Sequence, residues 1–440
     1  MFIQRKANEG FDFLDGLFKN TLKIITDEDF LREARGASPF SFSRKRKLSV
    51  KELVLLLLGF SRIGVRHELD RLFKCLSHGK DCIQTYSNSA FTQYRQKLQV
   101  ASLSYLLTKL LEYFEQHAVH KKLWHGFRLI AIDGSSLNLP EESRLREYFG
   151  SSKNQTGTES TTARISIAYD VTNKLVLDAQ ISDMKTGEQT LAKAHIANLS
   201  ADKDLLIFDR GYPSISFACS LHQQGFKFCF RLSTAWKEAY KLLKNANDID
   251  WILPKGKRYW EDRKEVYLKE TVEGFRLVKI QISKKECIVL LTNLSDREKF
   301  PIELLQELYK MRWTIEECYK RIKQVAQLEF FSGKTPIAIQ QDFYSRIIML
   351  NLSSMIETQE LQPQIDISPS SKYKKQVNRT QVMLKLKEFS YDLFWKENPE
   401  IALKKMLVLL YNCKDDVKPN RSFKRKKGYK YKCKPLQYKA

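Results

Sequence analysis

The sequence predicts an α/β protein: a mixed sheet flanked by helices, with a β-rich insertion, an all-helical N-terminal domain and a helical C-terminal region ending in a basic tail. Three observations predict it. Helical patterning fills residues 1–122. From Phe127, short apolar runs alternate with helical segments, the order of a sheet packed between helices. The 440 residues, 43% of them hydrophobic, suffice for a sizeable core and exclude general disorder.

At the N-terminus, Ser49 and Glu52 form a capping box ahead of the apolar run Leu53 to Leu58. A second helix spans about Val65 to Leu76. Ser87 or Ser89 can cap a third, which exposes Gln93, Arg95, Gln96 and Lys97. A helix, a turn and a polar helix of this kind form a candidate DNA reader, or an ordinary piece of a helical bundle.

The sheet-forming core segments follow at 123–233 and 286–360. FRLIAIDGSSL reads as a strand ending in Asp133, ARISIAYDVTNKLVLDAQISD as two strands, DLLIFDRGY as a strand ending in Asp209, and GFKFCFRLS as another. Helices cover GEQTLAKAHIANL and ISFACSLHQQ. Residues 234–285, charged and β-leaning, with Trp236, Trp251 and Trp260, read as an inserted subdomain. The strand ECIVLLTNL leads into a long helix that starts near Pro301. Helices near 337–358, 375–392 and 398–412 extend into a C-terminal region over 361–417, and 418–440 form the basic tail.

The charge balance names a partner class. Lys plus Arg number 75 against 51 acids, a net +24. Ten of those cations lie in residues 418–440, which contain no acid, and 24 − 10 leaves +14 for the rest of the chain. Such a surface suits the sequence-independent phosphate component of nucleic-acid binding; an anionic membrane would also attract it, and the bland alternative is a merely solvating charge. The longest apolar run, Leu53 to Leu58, is far short of the ~20 residues of a membrane span. The start MFIQRKANEG has no apolar signal segment. No membrane association is therefore expected, and the location is expected to be cytoplasmic. The eight cysteines include no C-x-x-C pair and read as reduced thiols, and His117, His120 and His125 as a helix face and linker.

Asp133 and Asp209 each close an apolar strand and are followed by a glycine within two residues. Carboxylates at that end of an open sheet can collect hard divalent cations; alternatively Asp133-Gly134 is a hairpin turn and Asp209-Arg210 a surface ion pair. The helix ELLQELYKMRWTIEECYKRIKQVAQLE adds a third acid. At ~100° per residue, Tyr309, Arg312, Glu316 and Lys323 share a stripe ~60° wide, apart from the apolar stripe of Leu308, Met311, Ile315, Cys318, Ile322 and Val325. Glu317 falls a quarter-turn away, so the helical face selects Glu316. The bland alternative is an i,i+4 ion pair between Arg312 and Glu316.

The spacing Y-x2-R-x3-E-x6-K, with Asp133 in AIDGS and Asp209 in FDRGY, resembles the DDE transposases of the insertion-sequence-four family. The resemblance covers residues 40–360. It implies a ribonuclease H-like core in which Asp133, Asp209 and Glu316 are catalytic and bind two Mg²⁺ or Mn²⁺ ions. It further implies phosphate contacts from Tyr309, Arg312 and Lys323, with Arg210 as a weaker candidate. The implied activity is cleavage at terminal inverted repeats and strand transfer by a cut-and-paste route, on transposon ends and target DNA, as a homodimer in the synaptic complex, on the bacterial nucleoid. Relatives that form a DNA hairpin place an aromatic residue, often Trp, where this chain has Ile288. The alternatives are a metal-dependent nuclease of the same fold and a non-catalytic DNA-binding regulator.

Overall fold

The computed structural model describes residues 2–43, 48–60, 64–76, 86–153, 157–261, 264–283, 286–367, 373–395 and 398–418. The N-terminal helices are α1 (Phe2–Ile24), α2 (Glu28–Arg35), α3 (Val50–Gly59), α4 (Val65–Leu76), α5 (Asn88–Arg95) and α6 (Val100–His117), and side-chain caps start α2, α3 and α5. The Asp27 carboxylate accepts the Phe30 N–H at 2.7 Å. The expected Ser49–Glu52 box is present, and every residue of its apolar run is buried. Ser87 caps α5 by accepting the Ala90 N–H at 3.1 Å.

The strands are β1 (Arg128–Asn138), β2 (Ser151–Lys153), β3 (Glu159–Asp170), β4 (Leu175–Ser182), β5 (Asp204–Phe208), β6 (Lys227–Leu232), β7 (Asp248–Leu253), β8 (Arg258–Glu261), β9 (Lys264–Tyr267), β10 (Val272–Ser283) and β11 (Glu286–Thr292). Helix α7 (Ser143–Phe149) follows β1, α8 (Glu188–Ile196) follows β4, and α9 (Ile215–Gln223) and α10 (Lys237–Leu242) flank β6. Five strands run in the order β4-β3-β1-β5-β6. The first three are antiparallel, and β5 and β6 join in parallel, which is the ribonuclease H-like arrangement. Along β1, Leu129 and Ala131 enter one core and Ile130 and Ile132 the other. That alternation covers both faces of the sheet with helices.

Strands β7 and β10 of the insertion continue the same sheet beyond β11, and the β8–β9 hairpin forms a two-stranded sheet of its own. The buried Arg276 fastens the extension by donating to Asp248 and to the Leu294 and Phe300 carbonyls. Trp251 is buried against Trp236. The side chain of Trp260 lies outside the described residues, as does nearly all of the basic tail.

Helices α11 (Ile302–Met311) and α12 (Thr314–Lys320) precede α13 (Pro336–Ile356). The sequence predicts one continuous helix from Pro301; the chain instead turns at Arg312 and Trp313, where the Thr314 hydroxyl donates to the Met311 carbonyl at 2.7 Å, and residues Arg321–Val325 form a π-helical turn. Helix α13 is buried on nearly all sides. It is followed by α14 (Gln362–Ile367), α15 (Arg379–Trp395) and α16 (Glu400–Tyr411). The helix expected from residue 375 starts four residues later, because Lys374–Val377 pairs as a strand with Lys414–Val417.

A pH dependence comes from this helical layer. Glu360 is only 5% exposed, and burial pushes its carboxyl up to about 7 despite hydrogen bonds from Tyr411 and Gln364. Its folded value lies above the ordinary one, so stability falls as pH rises from about 4.5 through 7. Glu360→Gln should therefore raise stability by ~1–2 kcal/mol at pH 8 and leave it unchanged at pH 4. Urea midpoints at the two pH values check this.

Candidate active site

Asp133 stands two residues past the last parallel pairing of β1 with β5, Ala131 with Ile207. Beyond it β1 continues against β3 to Asn138, with Asp133 opposite Ile167 and Gly134 opposite Ser166. The strand thus does not end at Asp133 as the sequence predicts, and the hairpin-turn alternative is excluded. Asp209 follows the last residue of β5 directly, so the two carboxylates meet where the parallel pair splays. The Asp133 carboxylate accepts the Gly134 N–H at 2.9 Å. Burial pushes its pKa up to about 6, opposed by that N–H and by Arg312, while the charges of Asp209 and Glu188 push it further up.

All four residues of the spacing signature reach this place. The Tyr309 hydroxyl donates to Asp209 Oδ1 at 3.0 Å. Arg312, 3% exposed, places Nη2 3.1 Å from Glu316 Oε1 and Nη1 4.0 Å from Asp133 Oδ2, bridging two of the three acids. Lys323 Nζ donates to Ser135 Oγ at 2.9 Å and to the Ser136 carbonyl at 2.6 Å, on the stretch of β1 after Asp133. The break after α11 means that the 100° arithmetic does not describe one helix, yet the stripe faces the carboxylates. Glu317 points elsewhere: its side chain is 63% exposed, and it lies 3.9 Å from Arg379.

The backbone of Asp133 is held from both faces. Its carbonyl accepts from the Tyr319 hydroxyl at 2.5 Å and from Ser166 Oγ at 3.3 Å. Ser166 in turn meets His195 Nε2 at 2.9 Å, and His195 Nδ1 meets Asp178 at 2.6 Å. These three resemble a nucleophilic triad, but Ser166 is fully buried and gives its proton to the Asp133 carbonyl, so they position β1. The sequence gives no signal for Tyr319, Ser166, His195 or Glu188, since each is recruited by tertiary packing.

The N-terminal candidates separate. Gln93, Gln96 and Lys97 are exposed, and so is Arg210 beside Asp209. Arg95 is a correction to the sequence reading: it is 1% exposed. It donates to Gln341 at 2.8 Å, Ser332 at 2.6 Å, Asp342 at 3.1 Å and the Ala338 carbonyl at 3.2 Å, all of them close to or within α13. Spent in this way, it cannot reach a base edge. Ile288 is buried within β11.

Residues 124–352, just over half of the chain, match the family described as the transposase DDE domain. The chain belongs to that family. It is 26% identical over 321 residues, 70% of each chain, to the transposase InsG for insertion sequence element IS4 of Escherichia coli strain K12. It is 28% identical over 163 residues to the putative transposase InsZ of the same strain, spanning 36% of this chain and 53% of that one. The cryo-EM structure of the piggyBac transposase synaptic complex with hairpin DNA aligns with 91% of this chain and 86% of that one, with a TM-score of 0.42 and 12% identity. The resemblance to the insertion-sequence-four family is borne out, and this DDE transposase is a DNA-cleaving and strand-transferring enzyme.

DDE transposases use divalent metal ions, and the donors fit them. Asp133, Asp209 and Glu316 offer only carboxylate oxygens, the ligands of hard cations such as Mg²⁺ and Mn²⁺. Among the described residues, no three His, Cys, Asp or Glu side chains already close a ligand shell. Arg312 lies between Asp133 and Glu316 and pairs with both. Among the described residues, no helix is long and apolar enough to cross a membrane.

Tyr309→Phe tests the contact to Asp209. It keeps the ring packing and loses one hydrogen bond, so stability should fall by only ~0.5–1.5 kcal/mol. Cleavage should fall more than about tenfold, because Asp209 loses the hydroxyl that orients it. Thermal melts beside a cleavage assay separate the two effects.

Proposed function

We propose that the chain binds the terminal inverted repeats of its own insertion sequence, cuts the element out and joins it to target DNA, as a homodimer with two Mg²⁺ or Mn²⁺ ions in each active site, in the bacterial cytoplasm on nucleoid DNA. The observation that carries this reading is the convergence of Tyr309, Arg312 and Lys323 on the middle of β1 and the end of β5, which present Asp133 and Asp209, with Glu316 held by the same arginine. Two divalent ions held by Asp133, Asp209 and Glu316 would stabilise the attacking and leaving oxygens of in-line displacement at phosphorus.

The side chains supply the rest. Arg312 balances the charge of Asp133 and Glu316, and its fork is of the kind that grips a phosphate in two places. Tyr309 orients Asp209, and Lys323 fixes the β1 stretch after Asp133 while adding a cation. Arg210, exposed beside Asp209, contributes a backbone contact. Gln93, Gln96 and Lys97 at α5 supply end recognition, and the basic tail supplies salt-dependent, sequence-indifferent affinity.

The test is reconstitution with the DNA that flanks the gene. The purified chain with Mg²⁺ or Mn²⁺ should cut at the inverted repeats and join the ends to a target plasmid. Cleavage without joining would make it a nuclease, and binding without cleavage a regulator.

A further inference from the structure

We infer that Glu188 is a fourth carboxylate of the active site and holds a divalent cation together with Asp133 and Asp209. This deepens the proposed function and rests on the reading of Asp133, Asp209 and Glu316 as a metal site.

Glu188 is the first residue of α8, capped by Gly187, and α8 packs against β1 and β3. Its place is defined by two glycines. A methyl group at Gly134 would stand 3.3 Å from Glu188 Cγ and 3.4 Å from Oε1; one at Gly211 would stand 3.8 Å from Oε2. One carboxylate oxygen therefore lies over the residue after Asp133, and the other over the second residue after Asp209. Neither glycine has a left-handed φ, so what their missing side chains provide is room for Glu188.

A second observation points the same way. Tyr212, three residues after Asp209, is 1% exposed, and its hydroxyl has no hydrogen-bond partner among the described residues. The charged groups around that hydroxyl are Asp133, Glu188 and Asp209, with Arg164 as the cation among them. A buried hydroxyl left unpaired is costly, and here it lies among three carboxylates. Glu188 itself forms no ion pair among the described residues, and Arg164, the cation nearby, donates to the Thr186 carbonyl. An acid at a helix N-terminus interacts favourably with the helix dipole, but that role does not require its two oxygens to lie over Gly134 and Gly211. A divalent cation held by Asp133, Asp209 and Glu188 would offset the charge of the carboxylates around that hydroxyl.

Mn²⁺ binding to the full chain without DNA, followed by calorimetry and by the electron paramagnetic resonance of free Mn²⁺, tests the assignment. Glu188→Gln should weaken Mn²⁺ affinity at least about tenfold, as should Gly134→Ala, which displaces the carboxylate without changing charge. The metal-free melting temperature of Glu188→Gln should match or exceed that of the parent, because a like charge near Asp133 has gone. Wild-type affinity in Glu188→Gln alongside lost affinity in Asp133→Asn overturns this inference and leaves the three-acid reading standing. Wild-type affinity in both variants, or no Mn²⁺ binding by the parent, overturns the two together. A lowered melting temperature with unchanged Mn²⁺ affinity assigns Glu188 to the fold.

Discussion

Asp133→Asn should lower DNA cleavage at least ~10²–10³-fold while leaving DNA binding within about twofold, and Asp209→Asn and Glu316→Gln should do the same. Each substitution keeps the side-chain shape and removes one charge. At Asp133 the new carboxamide oxygen can still accept the Gly134 N–H. Burial already disfavours the charged form of Asp133, so the variant should fold at least as well as the parent. Glu316 is partly exposed and linked to the rest by Arg312, so its loss releases the arginine without opening the core. Binding survives because phosphate contacts elsewhere on the cationic surface are untouched. Glu317→Gln is the control, with its side chain 63% exposed and directed toward Arg379. A dead Glu317→Gln beside an active Glu316→Gln would show that the wrong acid of the pair has been chosen.

The three acids were legible because a local pattern announces each of them. Asp133 and Asp209 follow apolar runs, and Glu316 sits at fixed sequence spacings from Tyr309, Arg312 and Lys323. The shared helical face keeps Glu316 with Arg312 even though the chain turns at Arg312 and winds into a π-helical turn at Arg321, because the two stay close enough for the 3.1 Å contact, while Glu317 faces Arg379. What was not legible depends on packing between distant segments. Glu188 reaches the site only because α8 folds back over β1. Strands β7 and β10 read as a separate subdomain, but β11 has a free edge and β10 pairs with it. Arg95 read as a solvent-facing base reader because its neighbours Gln93, Gln96 and Lys97 are polar, while the group that buries it, Asp342, lies some 250 residues away.

Arg95→Ala should cost ~3–5 kcal/mol of stability, the largest stability effect expected for any single residue of the polar stretch around α5. The guanidinium and the Asp342 carboxylate are 1% and 2% exposed, 3.1 Å apart. Removing the cation strands a buried charge, and Gln341 and Ser332 lose the donor they face. Asp342 keeps the Ser332 N–H at 2.6 Å, which limits the loss without replacing the lost charge. The double variant Arg95→Met, Asp342→Leu should recover part of the stability, since the Asp342 carboxylate is no longer buried without Arg95, while the buried Arg346 gives up Asp342 and keeps Glu68 as its counter-charge. DNA discrimination should respond in the opposite order. Gln93→Ala and Lys97→Ala, both at exposed positions, should leave the melting temperature nearly unchanged and weaken preference for the inverted repeats or overall affinity. Below its own melting temperature, Arg95→Ala should retain the parent's ratio of specific to non-specific binding. Urea unfolding and competition binding on the same preparations decide between the two roles. An Arg95→Ala protein of parental stability that has lost its preference for the ends would return Arg95 to the DNA surface, whereas a destabilised protein with that preference intact makes it the tie that holds α5 to α13.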